Sequence, residues 1–137
     1  LGDVYKRQNV FDEKLAHRLQ AAGDLLFMPS TYEPCGLNQI YGLRYGTVPI
    51  VRATGGLDDS IQEFDPATLR GTGFKFRGND IAGILAVIRN ALSLFRDQSL
   101  WSKIQENGMA MDFSWERAAA SYLTLYKNIS LEDTQHV

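Results

Sequence analysis

Residues 25–56, with the sequence LLFMPSTYEPCGLNQIYGLRYGTVPIVRATGG, decide the fold of this chain. The first four residues form a continuous apolar run, which is typical of a short strand that is covered on both faces. Residues 37–45 predict a short helix that Gly46 closes from a left-handed conformation. Residues 48–51 are a second buried run. The order strand, loop, helix, strand and loop indicates an α/β unit with a parallel sheet.

The turn between the first strand and the helix carries the chemistry. Pro34 and Gly36 shape this turn, and Glu33 stands just before it. A loop that leaves the carboxyl end of a parallel strand and opens a helix points free main-chain N–H groups outward, and the helix dipole adds partial positive charge there. We therefore expect a site that offers amides to phosphate and a carboxylate to hydroxyl groups, as a sugar diphosphate requires.

Several segments of this region resemble bacterial glycogen synthases and plant starch synthases, which are family 5 glycosyltransferases of the GT-B fold. They are Glu33-Pro34-Cys35-Gly36-Leu37-Asn38-Gln39, Tyr41-Gly42-Leu43-Arg44-Tyr45-Gly46-Thr47-Val48-Pro49 and Thr54-Gly55-Gly56-Leu57. Further on, Met109-Ala110-Met111-Asp112-Phe113-Ser114-Trp115 is similar to the carboxyl-terminal signature of the same family. Because these segments occur in order and at the spacing of the family, a chance match is a poor explanation.

The resemblance implies an α/β fold, namely part of the Rossmann-like carboxyl-terminal domain of a GT-B glycosyltransferase. In that domain a parallel sheet is flanked by helices, and the carboxyl terminus is helical. Family members are considerably longer and have two domains, so we expect this chain to be a fragment that lacks the amino-terminal domain. We assign residues 9–129 to the domain, residues 1–8 to a non-native or disordered leader, and residues 130–137 to a polar tail.

The resemblance also assigns roles in the turn. The family carboxylate that matches Glu33 contacts hydroxyl groups of the transferred glucose, so Glu33 is the predicted catalytic residue, and simple helix capping is the alternative. By resemblance, main-chain groups of Cys35, Gly36, Leu37 and Asn38 approach the sugar and the diphosphate. The Cys35 thiol is expected to be small and packed and not a nucleophile, because no base is near it in the sequence.

A second loop is expected at the same edge of the sheet, where open α/β folds bind ligands. Thr54, Gly55 and Gly56 form this loop, and the glycines permit close approach of the main chain to the donor. A tight turn without ligand contact is the alternative reading of these residues.

Two aromatic residues complete the predicted substrate site. An aromatic residue ahead of the first helix packs beside the adenine of the donor in the family, and Phe11 has that position; a hydrophobic staple is the alternative. Tyr41 stands where related enzymes with two signature glutamates carry the second one, and tyrosine there fits family 5. In one interpretation the Tyr41 hydroxyl faces the ribose of the donor. In the other, the Tyr41 ring only contributes to the packing of the helix.

Composition excludes several classes of function. A net charge of −2 over 137 residues gives no footprint for nucleic acid or an anionic membrane, and no apolar stretch reaches the length of a membrane span. The single cysteine cannot form an internal disulfide, which fits the cytoplasm, or a plastid in a plant or alga. Asp58 and Asp59 could be read as a metal-binding pair, but the helix dipole favours two carboxylates in the first turn and no third ligand is in view. The family that the chain resembles needs no metal, so the resemblance implies no metal and no cofactor.

The remaining patterns predict helices and one strand. Asp12 caps a helix over residues 13–22 that buries Leu15, Leu19 and Ala22. Residues 57–64 predict a helix, and residues 73–76 predict a strand. Asp80 caps a helix with one apolar stripe. A second helix follows over about residues 98–107 and turns its apolar side chains inward. Ser114 caps a third helix, part of whose apolar surface we expect to be exposed. The predicted apolar faces of these three helices are, in order, Ile81, Ile84, Leu85, Ile88, Leu92 and Phe95; Leu100, Trp101 and Ile104; and Trp115, Ala118, Ala119, Tyr122 and Tyr126.

The resemblance implies an enzyme that transfers glucose from ADP-glucose to the non-reducing end of an α-1,4-glucan and retains the anomeric configuration. The phosphate-binding cations and the acceptor residues of the family precede this segment, so we expect no transferase activity from the chain alone. A family 4 glycosyltransferase with another nucleotide sugar is one alternative, and a nucleotide-binding module without catalysis is another. A glucan phosphorylase would need a pyridoxal phosphate lysine motif, which does not appear.

Overall fold

A computed structural model of the chain describes residues 12–133, with side chains to residue 129. Phe11, the predicted leader and residues 134–137 lie outside the described residues. In order, the elements are α1 (Glu13–Ala22), β1 (Leu25–Met28), α2 (Asn38–Tyr45), β2 (Val48–Arg52), α3 (Gly55–Ser60), β3 (Phe74–Phe76), α4 (Ile81–Phe95), α5 (Gln98–Met109) and α6 (Trp115–Asp133).

The sheet positions the loops that matter here. Its three strands have the order β1-β2-β3 and are all parallel. β1 pairs with β2 from Leu25 opposite Val48, and β2 pairs with β3 from Ile50 opposite Phe74. Since parallel strands all end at the same edge, the loops that follow β1 and β2 leave the sheet side by side. The predicted parallel sheet flanked by helices is therefore confirmed.

The core lies on both faces of β2. One face packs Ile50 and Phe74 against Trp101 and Ile104 of α5, and the other packs Val51 against α2 and α3. β1 differs from the prediction of a strand covered on both faces. It is an edge strand of the described sheet, and Phe27 on it is 44% exposed, with its ring stacked on Phe76 at 5.8 Å between ring centroids.

α1 rests on the domain through polar side chains, and the predicted face of Leu15, Leu19 and Ala22 is exposed instead. His17 Nδ1 lies 3.1 Å from the Tyr45 hydroxyl, and Gln20 Nε2 donates to Asn38 Oδ1 at 3.2 Å. The neighbouring surface of α2 presents tyrosine and asparagine side chains, which polar partners satisfy better than leucine does. The predicted Asp12 cap is confirmed, because its carboxylate accepts from Leu15 N at 2.9 Å.

Two further helices depart from their predicted form. α3 begins at Gly55 and ends at Ser60, whereas we expected residues 57–64; Glu63 instead makes a parallel bridge with Gly73. α4 is rotated from its predicted stripe, because it is apolar on nearly all sides and its periodicity permits two faces. Ile81, Leu85 and Leu92 are exposed, and the face on the core is formed by Ile84, Val87, Ile88, Ala91, Leu94 and Phe95.

The carboxyl-terminal helices agree with the sequence. Trp101 and Ile104 of α5 are buried as predicted, with edge-to-face contact between Trp101 and Phe95 at 5.0 Å between ring centroids. The Ser114 hydroxyl accepts from Arg117 N at the start of α6. Along α6 large apolar side chains are exposed, Trp115 at 84%. Within residues 12–133, no helix combines the length and the apolar character needed to cross a membrane.

Candidate functional site

Two loops at the carboxyl edge of the sheet are in direct main-chain contact. We call residues 33–37 the acidic turn and residues 54–56 the glycine turn. The main-chain N–H of Gly56 donates to the carbonyls of Glu33 and Pro34, at 3.1 Å each. A Cβ atom at Gly56 would lie 2.1 Å from the Cys35 carbonyl oxygen, and one at Gly55 would lie 2.2 Å from the Glu33 carbonyl oxygen. Only glycine permits this approach, so the structure brings the two predicted loops together.

A buried glutamine, Gln39, links the acidic turn to the glycine turn through hydrogen bonds. Gln39 on α2 is 0% exposed, and its Nε2 donates to the Cys35 carbonyl at 3.0 Å and to the Gly36 carbonyl at 3.1 Å. The same nitrogen donates to Ser60 Oγ at 3.2 Å, and that hydroxyl donates to the Gly56 carbonyl at 2.5 Å. The bonds therefore connect the acidic turn, α2 and α3.

Gln39 was assigned no role from the sequence, although its position carries a signal. Gln39 lies one helical turn before Leu43, on the face of α2 that is buried. A polar side chain on an apolar helix face must find partners inside the protein. The position therefore indicates a buried network, although the identity of its acceptors depends on the fold of the turns.

The main-chain donors at the start of α2 are available to a ligand. Within residues 12–133, no hydrogen bond is made to the N–H groups of residues 36–39. The capping position, Leu37, provides no side-chain bond to the first turn. Leu37 and Asn38 are exposed, so this end of the helix opens to solvent. Unbonded amides and the dipole of α2 together form a site that favours an anion.

Glu33 stands beside these donors. Its side chain is half-buried, and within the described part of the chain no group is hydrogen-bonded to its carboxylate. It provides no cap to α2, which removes the structural basis for the helix-capping alternative. The carboxylate is thus free to accept hydrogen bonds from hydroxyl groups of a ligand held at the amides.

Cys35 corrects one expectation. We predicted a packed thiol, but Cys35 is exposed in the acidic turn. The turn places its carbonyl inward, on Gln39, and this leaves the side chain toward solvent. Within residues 12–133 no histidine or carboxylate is bonded to the thiol. That the thiol is not a nucleophile stays a prediction.

Tyr41 and Thr54 lie at the margins of the site. Tyr41 is 40% exposed, and its ring centroid lies 5.3 Å from that of His17 on α1. It forms one wall of an open cleft of about 260 Å³ between α1 and α2, which is lined by Glu13, Ala16, His17, Gln20, Leu37, Asn38 and Tyr41. The half-buried Thr54 precedes α3 and makes no side-chain cap bond. The cleft begins where the unbonded amides end, since Leu37 and Asn38 belong to both.

Asp58, the first residue of the acidic pair after the glycine turn, forms an ion pair with Lys75. Lys75 Nζ lies 2.7 Å from Asp58 Oδ1 and donates to the Asp58 carbonyl at 2.7 Å. The hydrogen bond from Lys75 lowers the pKa of Asp58. Among the described residues, no three histidine, cysteine, aspartate or glutamate side chains are grouped so that they could hold a metal ion.

Sequence comparison identifies relatives over most of the chain. The chain is 58% identical over 117 residues to a glycogen synthase of Koribacter versatilis and 52% identical over 120 residues to one of Anaeromyxobacter sp.. These matches cover 85% and 88% of this chain but 24% and 25% of the relatives. The chain thus spans about a quarter of the length of the curated relatives it matches. No protein-family model matches it.

Solved structures agree with this relationship. The catalytic domain of starch synthase IV from Arabidopsis thaliana, bound to ADP and acarbose, superposes with a TM-score of 0.77 at 39% identity over 87% of this chain and 25% of that one. A sucrose-phosphate synthase from Thermosynechococcus elongatus superposes with a TM-score of 0.59 at 26% identity, over 89% of this chain and 29% of that one. The resemblance to glycogen and starch synthases, and the fold of a GT-B carboxyl-terminal domain, are confirmed.

Proposed function

We propose that this chain, a homologue of the glycogen and starch synthases with the fold of a GT-B carboxyl-terminal domain, forms the donor-binding part of a glucosyltransferase. The enzyme would transfer glucose from ADP-glucose to the non-reducing end of an α-1,4-glucan and retain the anomeric configuration. The observation that carries the proposal is the set of unbonded amides of residues 36–39 beside the free carboxylate of Glu33. ADP in the starch synthase structure supports the choice of donor nucleotide.

In this proposal the amides of residues 36–39 hold the diphosphate. As the bond between glucose and the diphosphate breaks, negative charge grows on the leaving phosphate oxygens. Main-chain N–H groups fixed at a helix start stabilise this charge without rearranging at the moment of reaction. Cationic side chains outside this segment would add to the effect, as the family resemblance implies.

Glu33 acts on the sugar. Its carboxylate accepts hydrogen bonds from glucose hydroxyl groups and so orients the ring while the anomeric carbon gains positive charge. The main chain of Glu33 is fixed by its bond from Gly56, so the carboxylate starts from a defined position. Cys35, Gly36 and the three residues of the glycine turn would line the same space and approach the donor through the main chain.

The cleft between α1 and α2 offers room for the nucleoside. At about 260 Å³ it extends from Leu37 and Asn38 to the Tyr41 ring. We place the ribose beside Tyr41; contact between the adenine and Phe11, which lies outside the described residues, stays an implication of the family resemblance. No metal or organic cofactor is required in this scheme.

The proposal extends to location and partners. We expect the whole protein to act in the cytoplasm, or in a plastid if the source is a plant or alga. The glucan acceptor and an amino-terminal GT-B domain would close the cleft from the other side. The 137-residue chain alone should therefore have no transferase activity.

A chimeric enzyme tests the proposal. In it, this chain replaces the matching segment of a full-length bacterial glycogen synthase, and glucose transfer is measured with ADP-glucose and UDP-glucose as competing donors. We expect glucan extension with a preference for ADP-glucose. A folded chimera that extends no glucan would contradict the proposal, and a preference for another nucleotide sugar would favour the family 4 alternative.

A further inference from the structure

The carbonyl groups of residues 33–36, the first four residues of the acidic turn, accept hydrogen bonds from groups within the protein. The carbonyls of Glu33 and Pro34 accept from Gly56 N, and the carbonyls of Cys35 and Gly36 accept from Gln39 Nε2. Every peptide bond in the described chain is trans. In a trans peptide the C=O of one residue and the N–H of the next point in opposite directions. An inward carbonyl therefore turns the following N–H outward.

The consequence differs along the turn. Inward carbonyls at Cys35 and Gly36 direct the N–H groups of Gly36 and Leu37 toward solvent. The carbonyl of Glu33 has no such effect, because the next residue, Pro34, has no N–H. The Gln39 side chain therefore sets the direction of two N–H groups, those of Gly36 and Leu37. These N–H groups lie next to the unbonded N–H groups of Asn38 and Gln39 at the start of α2.

The orientation of the Gln39 amide is fixed by its partners. Three oxygen atoms surround Nε2, and an amide nitrogen has two hydrogens to share among them. A flipped amide would place Oε1 against the carbonyl oxygens of Cys35 and Gly36, which have no proton to donate, and would leave both carbonyls without a donor. As it stands, Oε1 is buried with no hydrogen-bond partner among the described residues. It lies over Gly36, where a Cβ atom would be only 2.5 Å away, so this cramped geometry also requires glycine at φ +71°.

We infer that Gln39 is a positioning residue, which turns the Cys35–Gly36 and Gly36–Leu37 peptides so that their N–H groups face the donor diphosphate. Ser60 supports it, because its hydroxyl accepts from Gln39 and donates to Gly56 on the neighbouring turn. The inference rests on the proposed function, which supplies the ligand. Gln39 itself is buried and does not touch that ligand.

The chain contains a matched control for the loss of this side chain. Gln105 on α5 also donates through Nε2 to a glycine carbonyl, that of Gly46 at 2.7 Å, and its side chain is partly buried. This bond lies at the opposite end of α2 from the acidic turn. Gln39→Met and Gln105→Met each remove an internal amide donor and keep the length of the side chain. Only the first should affect the direction of the turn peptides.

The experiment measures ADP binding to the wild-type chain and to both variants by the amide signals of ¹⁵N-labelled protein, with thermal unfolding alongside. We expect the ADP Kd of Gln39→Met to rise by about tenfold or more, and that of Gln105→Met by less than about twofold. Ser60→Ala should weaken ADP binding by an intermediate factor, and it serves in place of Gln39→Met if that variant does not fold. Equal affinity of the Gln39 and Gln105 variants, or of Ser60→Ala and wild type, would overturn the inference.

A readout without nucleotide separates this inference from the proposed function. In Gln39→Met the amide signals and hydrogen-exchange rates of Gly36 and Leu37 should change, whereas in Gln105→Met they should match wild type. If wild type fails to bind ADP at residues 36–39, the proposed function fails while the positioning role still stands on these signals. If the signals of Gly36 and Leu37 are unchanged in Gln39→Met, the positioning role fails whatever ADP does.

Discussion

Replacing Gly56 with alanine should disrupt the contact between the two turns. The new Cβ would lie 2.1 Å from the Cys35 carbonyl oxygen and 2.6 Å from the Cys35 Cα. Ordinary contact begins near 3.4 Å, so the main chains must separate by more than 1 Å. That shift breaks the bonds from Gly56 N to Glu33 and Pro34. Lost hydrogen bonds at about 1 kcal/mol each, together with main-chain strain, give an expected loss of about 2–4 kcal/mol in the free energy of unfolding.

Urea unfolding of Gly56→Ala and of a control, Gly23→Ala, measures this effect. At Gly23 the nearest atom to an added Cβ is the Leu19 carbonyl oxygen at 3.4 Å, and φ is −87°, which alanine adopts freely. The control should therefore change the free energy of unfolding by less than about 0.5 kcal/mol. If Gly56→Ala were as stable as Gly23→Ala, the turns would not be packed as described, and the argument for a joint site would be refuted.

Three further substitutions test the site, the caps and the core. Glu33→Gln in the glycogen synthase chimera should lower kcat by about a hundredfold with little change in the KM for glucan. Glu116→Gln, on the exposed side of α6, should change neither constant. If the two variants had the same kcat, Glu33 would have no part in the mechanism. Asp97→Ala should lower the thermal midpoint at pH 7, because hydrogen bonds from Ser99 and Leu100 lower the pKa of Asp97 in the folded protein. The contribution of the Asp97 carboxylate to stability is lost as the pH falls below 3.8, so the difference in thermal midpoint between wild type and variant should shrink there. A difference that stays the same at lower pH would contradict this. Ile104→Ala should cost about 2–5 kcal/mol by urea unfolding and Ile81→Ala less than about 0.5, and similar losses would show that α4 and α5 pack differently.

The sequence predicted the part of the fold that short-range rules control. Leu25–Met28 was recovered as a strand because an apolar run between turn residues has few alternatives. Gly46 was recovered as the left-handed end of α2, with φ +80°, because few other residues adopt that conformation. Asp12 and Asp80 were recovered as caps because their carboxylates bond within their own helix turn. In each case the partners lie within a few residues.

The predictions were wrong or incomplete where residues distant in the sequence determine which face of a helix is buried. Leu15 and Leu19 look like a core face, yet α1 meets α2 through His17 and Gln20, and the sequence of α1 does not specify its neighbour. α4 offers two apolar faces, and the choice between Ile81 and Ala91 depends on where β3 and α5 lie. Gln39 was missed for the same reason, since one of its partners, Ser60, is 21 residues away.

The candidate site was anticipated as two separate loops, but their contact was not. Nothing in the letters Thr54-Gly55-Gly56 states that the second glycine donates to Glu33. The family resemblance indicated that both loops serve one ligand. The structure shows that the main chains of the two loops are in direct contact at Gly55 and Gly56, and that the buried Gln39 amide bonds to the acidic turn.

The position of the diphosphate in a crystal of the chimera grown with ADP is the most direct test of the account. We expect β-phosphate oxygens within about 3.0 Å of the main-chain nitrogens of residues 36–39, with the ribose beside Tyr41. A diphosphate bound elsewhere, for example in the groove between α2 and residues 111–114, with those amides left to solvent, would contradict it.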